Sequence, residues 1–171
     1  MLAQVSNETH VRTFTIRKVL GSGSSCIAYR AVDSGSHLPA LIKECFPHNS
    51  AVRNSDGELA WNSTEDEHHA KERFRAAFEI QREIQSTDET MNSLTHLIDG
   101  LYSGNNTLYT VSDIQNAKTY NDATDSSLQE ICITAKAIAQ AIDKYHALGY
   151  RHLDIKPQNI LVLPETRELV T

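Results

Sequence analysis

Alternating apolar and polar residues predict three short strands near the start of the chain. Residues 14–20 (FTIRKVL) alternate and run into Gly21, which is typical of a strand that enters a glycine turn. Residues 26–32 (CIAYRAV) predict the returning strand of a hairpin. After a turn at 33–36, which holds Asp, Ser and Gly, residues 38–44 predict a third strand.

Two later segments carry apolar residues at helical spacing. The first helix is predicted over about 67–85, with apolar positions at Phe74, Ala77, Phe78 and Ile84. The second helix is predicted over about 127–148 and ends at Gly149. Its apolar positions are Leu128, Ile131, Ala135, Ile138 and Ile142.

The rest of the chain predicts loops and short strands. Residues 47–68 are polar and predict an extended loop, with a small hairpin around Asp56-Gly57. Residues 115–126, rich in Asn, Asp, Ser and Thr, predict a linker into the second helix. Further short strands are predicted at 97–102, 107–113, 159–163 and 168–171.

Composition and charge are those of an ordinary soluble chain. The 171 residues are 40% hydrophobic and 22% charged, which is typical of a folded protein rather than a disordered or fibrous one. A formal net charge of −6 gives no reason to expect a nucleic-acid partner, and no segment predicts a membrane span. The three cysteines are widely spaced and no signal peptide is visible, so we expect a reducing, cytoplasmic location.

The run from Tyr150 to Leu161 (YRHLDIKPQNIL) carries the candidate chemistry. It places Asp154, Lys156 and Asn159 at fixed offsets between the second helix and a short apolar strand. An Asp can orient a hydroxyl nucleophile and accept its proton, a Lys can stabilise charge on a moving phosphoryl group, and an Asn can hold a metal ion. This combination suits phosphoryl transfer.

The same run resembles the catalytic loop of protein kinases, written H-R-D-L-x-x-x-N. The resemblance implies that Asp154 is the catalytic base, that Lys156 assists catalysis and that Asn159 binds Mg²⁺. Leu153 stands where the family usually has Arg, which in many kinases reads a phosphorylated activation loop. We therefore expect an active form of this protein not to need that phosphorylation.

A glycine-rich segment, residues 21–29 (GSGSSCIAY), follows the first predicted strand. Glycines let backbone N–H groups approach phosphates closely, although Gly/Ser hairpins are also common as plain turns. The segment resembles the kinase loop G-x-G-x-x-G-x-V, with Cys in place of the third Gly and Ala in place of Val. Cys26 is here either a small filler residue or one that responds to oxidants. The resemblance implies an ATP site at Gly21, Ser22, Gly23, Ser24, Ser25, Cys26 and Ala28.

Lys43 ends an apolar stretch, Ala40-Leu41-Ile42, and is either a solvated lysine at a strand end or a phosphate ligand. The stretch resembles the kinase V-A-I-K strand, whose Lys pairs with nucleotide phosphates and with a Glu on the following helix. The candidates for that partner are Glu79 and Glu83, yet a comparison with bacterial relatives places Ala77 at the expected position, with Gln81 one turn on. Residues 109–113 resemble the strand before the adenine-binding hinge, which implies that Asp113 also contacts the cofactor.

Together the motifs resemble a bacterial-type Ser/Thr protein kinase over nearly the whole chain. The resemblance implies an α+β, protein kinase-like two-lobe fold: a five-stranded antiparallel small lobe with one helix, then the start of a helical large lobe. We expect the small lobe at 10–114, a hinge at 115–126 and the truncated large lobe at 127–171. ATP and Mg²⁺ are the implied cofactors, and a protein substrate is the implied partner.

The D-F-G motif that supplies the second metal ligand in kinases is absent from the sequence, and we expect it beyond Thr171. The chain alone is then expected to be inactive, with the remainder of a kinase domain as a further partner. One alternative is a pseudokinase or nucleotide-binding module without catalysis. Another is a small-molecule phosphotransferase of kinase-like fold, against which the Lys156-Pro157 pair argues because such enzymes more often carry His there.

Overall fold

The computed structural model describes residues 2–6, 11–87, 98–113, 118–120, 127–162 and 169–170. The chain divides into two compact units. The first comprises Met1–Gln81 and Ile98–Ile114, and the second comprises Arg82–Leu97 and Gln115–Thr171. Each is described below by itself.

The first unit is built around a closed antiparallel barrel. Its strands follow the order β1-β2-β3-β4-β8-β7 around the barrel. They are β1 (Leu2–Ser6), β2 (Val11–Ser22), β3 (Cys26–Asp33), β4 (Pro39–Cys45), β7 (Ile98–Gly104) and β8 (Thr107–Asp113). The predicted strands of this region are confirmed to within a few residues.

The predicted five-stranded antiparallel small lobe is wrong, because β1 adds a sixth strand and closes the sheet. β1 pairs with β2 over five positions, from Leu2↔Thr15 to Ser6↔Val11. At its other edge it reaches β7 through the pair Ser6↔Ser103, the one pair between them among the described residues. The predicted sheet therefore gives way to a barrel of six strands.

Alternation along the strands fills the barrel interior, because successive side chains in a strand point to opposite faces. In β4, for example, Ala40, Ile42 and Glu44 share one face and are all buried. The aliphatic and aromatic side chains of the main core come from all six strands of the barrel. They are Val5, Phe14, Tyr29, Ala31, Ala40, Ile42, Tyr102, Tyr109 and Val111.

A second cluster contains residues of a helix and of barrel strands. Helix α1 (Thr64–Thr87) includes the predicted segment and begins three residues before it. Its Ala70 is buried with Cys45 and Leu108, and Phe74 packs against the same cluster. Among the predicted apolar positions Phe78 is buried, whereas Ala77 is exposed.

A small hairpin precedes α1, as the turn residues Asp56-Gly57 predict. It consists of β5 (Ala51–Arg53) and β6 (Leu59–Trp61), paired from Ala51↔Trp61 to Arg53↔Leu59. Gly57 has φ of 92°, a conformation that glycine adopts without the strain that a Cβ would cause. The predicted hairpin is confirmed.

The second unit holds helix α2 (Leu128–Ala147), which ends two residues before the predicted stop at Gly149, where φ is 83°. A 3-10 turn, Pro157–Asn159, follows it. A small sheet has the order β11-β10-β9, with β9 (Lys118–Thr119), β10 (Leu161–Val162) and β11 (Leu169–Val170). The predicted linker at 115–126 thus contains β9, and its residues 115–117 and 121–126 lie outside the described part.

Neither helix in the described part of the chain has the length and apolar character needed to cross a membrane.

Candidate functional site

A compact polar cluster forms around Asp154, which lies between α2 and the 3-10 turn. Lys156 Nζ donates to both carboxylate oxygens, at 3.0 Å to Oδ1 and 2.9 Å to Oδ2. Asn159 Nδ2 donates to Oδ2 at 2.9 Å and to the Asp154 backbone carbonyl at 2.8 Å. The three residues singled out by their sequence offsets are therefore in direct contact. We call them the Asp154 cluster.

The Asp154 cluster is exposed to solvent. The Asp154 side chain is 64% exposed and that of Lys156 is 48% exposed. The hydrogen bonds from Lys156 and Asn159 favour the charged carboxylate and lower the pKa of Asp154 below its ordinary range. Asp154 is consequently ionised at neutral pH, and its Oδ1 accepts only the Lys156 bond among described residues, which leaves a lone pair for a further donor.

The backbone before Asp154 has an unusual conformation. Leu153 has φ of 60°, in the left-handed region that leucine seldom adopts, and 88% of the residue is exposed. The next residue's N–H points at His152 Nδ1 over 3.4 Å, and the His152 ring meets Tyr145 edge-on at 6.0 Å between centroids. An exposed leucine in this conformation gains nothing from packing, so the turn is held by its neighbours.

Asn159 is the residue that could hold a metal ion here. It uses its amide nitrogen in the bonds to Asp154, and its Oδ1 has no hydrogen-bond partner among the described residues. An amide oxygen is a suitable hard ligand for Mg²⁺. Within the described ranges no three residues among His, Cys, Asp and Glu group as a metal site.

The glycine-rich segment forms the tip of the β2–β3 hairpin. Gly21 and Ser22 end β2, Cys26 begins β3, and the Gly23 N–H donates to the Cys26 carbonyl at 2.9 Å. The backbone N–H groups of Ser24 and Ser25 donate to no described residue. Two donors at the tip are thus available to an anion.

The two glycines of this tip are not required by the backbone. Neither Gly21 nor Gly23 has a positive φ. A Cβ built on Gly21 would meet no atom within 4 Å, and one on Gly23 would meet only the Cys26 carbonyl oxygen, at 3.8 Å. The missing side chains leave open space above the hairpin, which is what close approach by a phosphate needs.

Lys43 lies in a row of residues that share one face of the barrel wall. Gly21 is paired with Ala28, and Ala28 is paired with Lys43 across β3 and β4. Directly opposed residues in antiparallel strands point to the same side, so all three line one surface. Lys43 is exposed, although both of its neighbours in β4 are buried.

No carboxylate of the described part of the barrel unit pairs with Lys43. Glu79 is exposed on α1 and forms no ion pair within the described residues, while Ala77 cannot form one. Glu83 belongs to the second unit, where its Oε2 accepts a hydrogen bond from Tyr150 at 2.6 Å. Gln81 is half-buried.

Asp113 ends β8 and is paired with Ala40 in the barrel, but its side chain lies outside the described part. The backbone position is therefore known and the predicted contact to a cofactor stays a prediction.

Sequence reasoning missed a buried carboxylate next to Lys43. Glu44 accepts hydrogen bonds at 2.7 Å from Tyr29 and from Tyr109, and it forms an ion pair with Arg53. Its side chain is 2% exposed. We call these four residues the Glu44 cluster. The signal was present in β4, since Glu44 continues the two-residue spacing of Ala40 and Ile42 into the core.

Comparison with known proteins gives a likeness of fold. No family model and no curated protein sequence matches the chain. Among solved structures, PpkA-294 in its apo form matches with a TM-score of 0.70 and 23% sequence identity. The match covers 92% of this chain and 56% of PpkA-294, so the chain spans little more than half of that protein. At this identity the likeness concerns the fold.

Proposed function

We propose that this protein takes part in ATP-dependent phosphoryl transfer to Ser or Thr hydroxyls of a protein substrate. The observation that carries the proposal is the Asp154 cluster, in which Lys156 and Asn159 both hold one exposed, ionised carboxylate. Phosphoryl transfer asks little covalent chemistry of the protein, because it depends on positioning and on charge stabilisation. The likeness to PpkA-294 adds support for a kinase-related function.

Each residue of the Asp154 cluster has a part in this chemistry. Asp154 Oδ1 accepts the hydrogen bond of the acceptor hydroxyl, orients its oxygen and takes its proton as the new P–O bond forms and the bond from the γ-phosphorus to the oxygen of the leaving ADP breaks. Lys156 holds the carboxylate in place and would offset negative charge on the transferred group. When bound, Mg²⁺ on the Asn159 amide oxygen would neutralise charge on the phosphates.

The nucleotide phosphates are assigned to the outer face of the barrel. The free N–H groups of Ser24 and Ser25 and the open space at Gly21 suit an anion. The exposed ammonium group of Lys43 lies in the same row as Gly21 and supplies a positive charge without a competing partner in the described barrel residues. A lysine binds phosphate as such a point charge.

A second candidate function is nucleotide binding without transfer. The favouring observation is that Lys43 has no carboxylate partner in the described part of its unit, whereas active kinases require the Lys–Glu ion pair. Both candidates predict nucleotide binding, and only the first predicts transfer.

Binding is tested by calorimetric titration of the protein with Mg·ATP. Lys43→Met and Gly21→Ala should each weaken binding at least about tenfold, which is about 1.4 kcal/mol. The matched control Lys18→Met removes another exposed lysine, on β2, and should leave the affinity unchanged. Equal affinity in all four proteins would contradict the assignment of the phosphates to this face.

Transfer is tested with radiolabelled ATP and a panel of Ser/Thr peptides. Asp154→Asn keeps the size of the side chain and one acceptor oxygen but removes the charge and the base, so transfer should fall about 10²-fold or more. Binding of Mg·ATP with no transfer by the parent protein would favour the second candidate over the first.

A further inference from the structure

Two of the three cysteines face each other across neighbouring barrel strands. Cys26 at the start of β3 is paired with Cys45 at the end of β4. The Phe46 N–H donates to the Ser25 carbonyl at 3.0 Å, which identifies Cys26 and Cys45 as a pair without mutual backbone hydrogen bonds. In such pairs the Cα atoms are about 4.5 Å apart and the side chains approach closely.

This spacing is compatible with a disulfide bond. Bridged cysteines usually have Cα atoms about 4.4–6.8 Å apart, so the pair lies at the short end of that range. Directly opposed residues also point to the same face, as a bridge requires. Both thiols are free in the structure.

The two thiols differ in their access to solvent. Cys26 is half-buried beside the hairpin tip, whereas Cys45 is 2% exposed and packs with Ala70 and Leu108. Burial raises the pKa of the Cys45 thiol to about 11, and the nearby Cys26 contributes to the same rise. An oxidant in solution therefore reaches the Cys26 thiol before the buried Cys45 thiol. Cys45 can then react with the oxidised Cys26.

We propose that Cys26 and Cys45 form a site of oxidative modification. A hydroperoxide oxidises the two thiols to a reversible disulfide bond between β3 and β4. In the first step the Cys26 sulfur attacks the peroxide, the O–O bond breaks, and Cys26 becomes a sulfenic acid with release of water or an alcohol. In the second step the Cys45 thiol loses its proton and its sulfur attacks the Cys26 sulfur, the S–S bond forms, and the S–O bond breaks as hydroxide leaves and takes up that proton to give water. Two sulfurs are oxidised and one peroxide is reduced.

The bridge would fix the base of the glycine-rich hairpin to the strand that carries Lys43, two residues before Cys45. The site itself stands on the strand register alone, so it does not depend on nucleotide binding. The third cysteine, Cys132, is exposed on α2 and belongs to the other unit.

The test uses a Cys132→Ser background, which removes the exposed third thiol. After one equivalent of hydrogen peroxide, the intact mass should fall by two hydrogen atoms. A non-reducing peptide map should join the Cys26 and Cys45 peptides, and dithiothreitol should restore both thiols to alkylation in denaturant. The same treatment of the Cys26→Ser variant in this background should give no cross-linked peptide.

Two outcomes would overturn the proposal. One is a mass gain of oxygen at Cys26 while Cys45 remains alkylatable after unfolding, which would show oxidation without bridging. The other is a disulfide dimer on a non-reducing gel in place of the intramolecular bridge.

Discussion

The Glu44 cluster and the Asp154 cluster have similar components and opposite surroundings. In each, a carboxylate is held by one cationic side chain and by uncharged donors: Arg53 and two tyrosines for Glu44, Lys156 and one amide for Asp154. The Glu44 side chain is 2% exposed, whereas that of Asp154 is 64% exposed. The main difference between the two clusters is how far the carboxylate is buried.

The difference shows what burial does to a carboxylate's role. All the donors to Glu44 are fixed by the barrel and its hairpin, since Tyr109 is further held by Asn105 at 2.9 Å and Arg53 donates to the Gly57 carbonyl at 2.8 Å. Separating such a buried charge from its partners costs much free energy, so the cluster fixes the position of β4. Asp154 faces water, where a ligand can reach it.

The largest expected effect follows from breaking the buried cluster. Glu44→Ala leaves Arg53 and two tyrosine hydroxyls without their shared acceptor, so the free energy of unfolding should fall by about 3–5 kcal/mol. Urea unfolding followed by the fluorescence of Trp61, the single tryptophan, reports on the barrel unit.

The matched controls for Glu44→Ala lie in the other cluster and in the ion pair itself. Asp154→Ala should leave the unfolding free energy nearly unchanged, measured by far-UV circular dichroism, because the residue is exposed. The double variant Glu44→Met with Arg53→Met should be milder than Glu44→Ala, since no charge is left buried. An unchanged free energy of unfolding in Glu44→Ala would contradict the structural role of the cluster.

A smaller effect is expected from Tyr109→Phe, which removes one hydrogen bond to the Glu44 carboxylate at 2.7 Å. Hydrogen bonds to charged groups contribute about 1.5–3 kcal/mol, and the loss in unfolding free energy should lie in that range. Tyr102→Phe is the control, because Tyr102 is a buried tyrosine of the same core whose hydroxyl accepts a long hydrogen bond from Arg12, at 3.5 Å, and does not bond to Glu44. Equal losses in the two variants would show that the bond to Glu44 is not what stabilises the barrel.

The smallest effect concerns the titration of the exposed cluster. Lys156→Met removes the main cause of the lowered pKa of Asp154, so the titration midpoint of its carboxyl carbon by NMR should rise towards the ordinary value. A depressed carboxyl pKa stabilises the fold above the unfolded pKa, and that stabilisation is lost as the pH falls through the folded pKa. A midpoint that does not move in Lys156→Met would mean that Lys156 does not hold the carboxylate in solution.

The strands and helices could be predicted because their signals are local. Alternation in residues 14–20 and 26–32 and the glycine at 149 are readable from a few neighbours. β1 was not predicted: its five pairs with β2 lie close along the chain, but the pair Ser6↔Ser103 that closes the barrel joins residues far apart in the sequence. Closure of the barrel is a long-range event for which a short apolar segment gives no sign.

The candidate site divides in the same manner. The offsets of Asp154, Lys156 and Asn159 bring them together because one turn of chain spans them. The left-handed conformation of Leu153 has no sequence signal, since leucine disfavours it. The spacing of β4 indicates that Glu44 faces the core. The tyrosines that hydrogen-bond to it there come from two other strands, and the sequence of β4 does not identify them.

The short contact between β1 and β7 has a consequence for the aggregation of this protein in solution. Strand edges with unpaired backbone groups recruit other strands and start aggregation, and a closed barrel hides them. Among the described residues, β1 and β7 are joined by the pair Ser6↔Ser103 and by the Ser103 hydroxyl, which donates to the Ser6 carbonyl at 3.2 Å. On heating, the barrel should open first between β1 and β7. The strand edges exposed there would be the first surfaces through which two molecules associate.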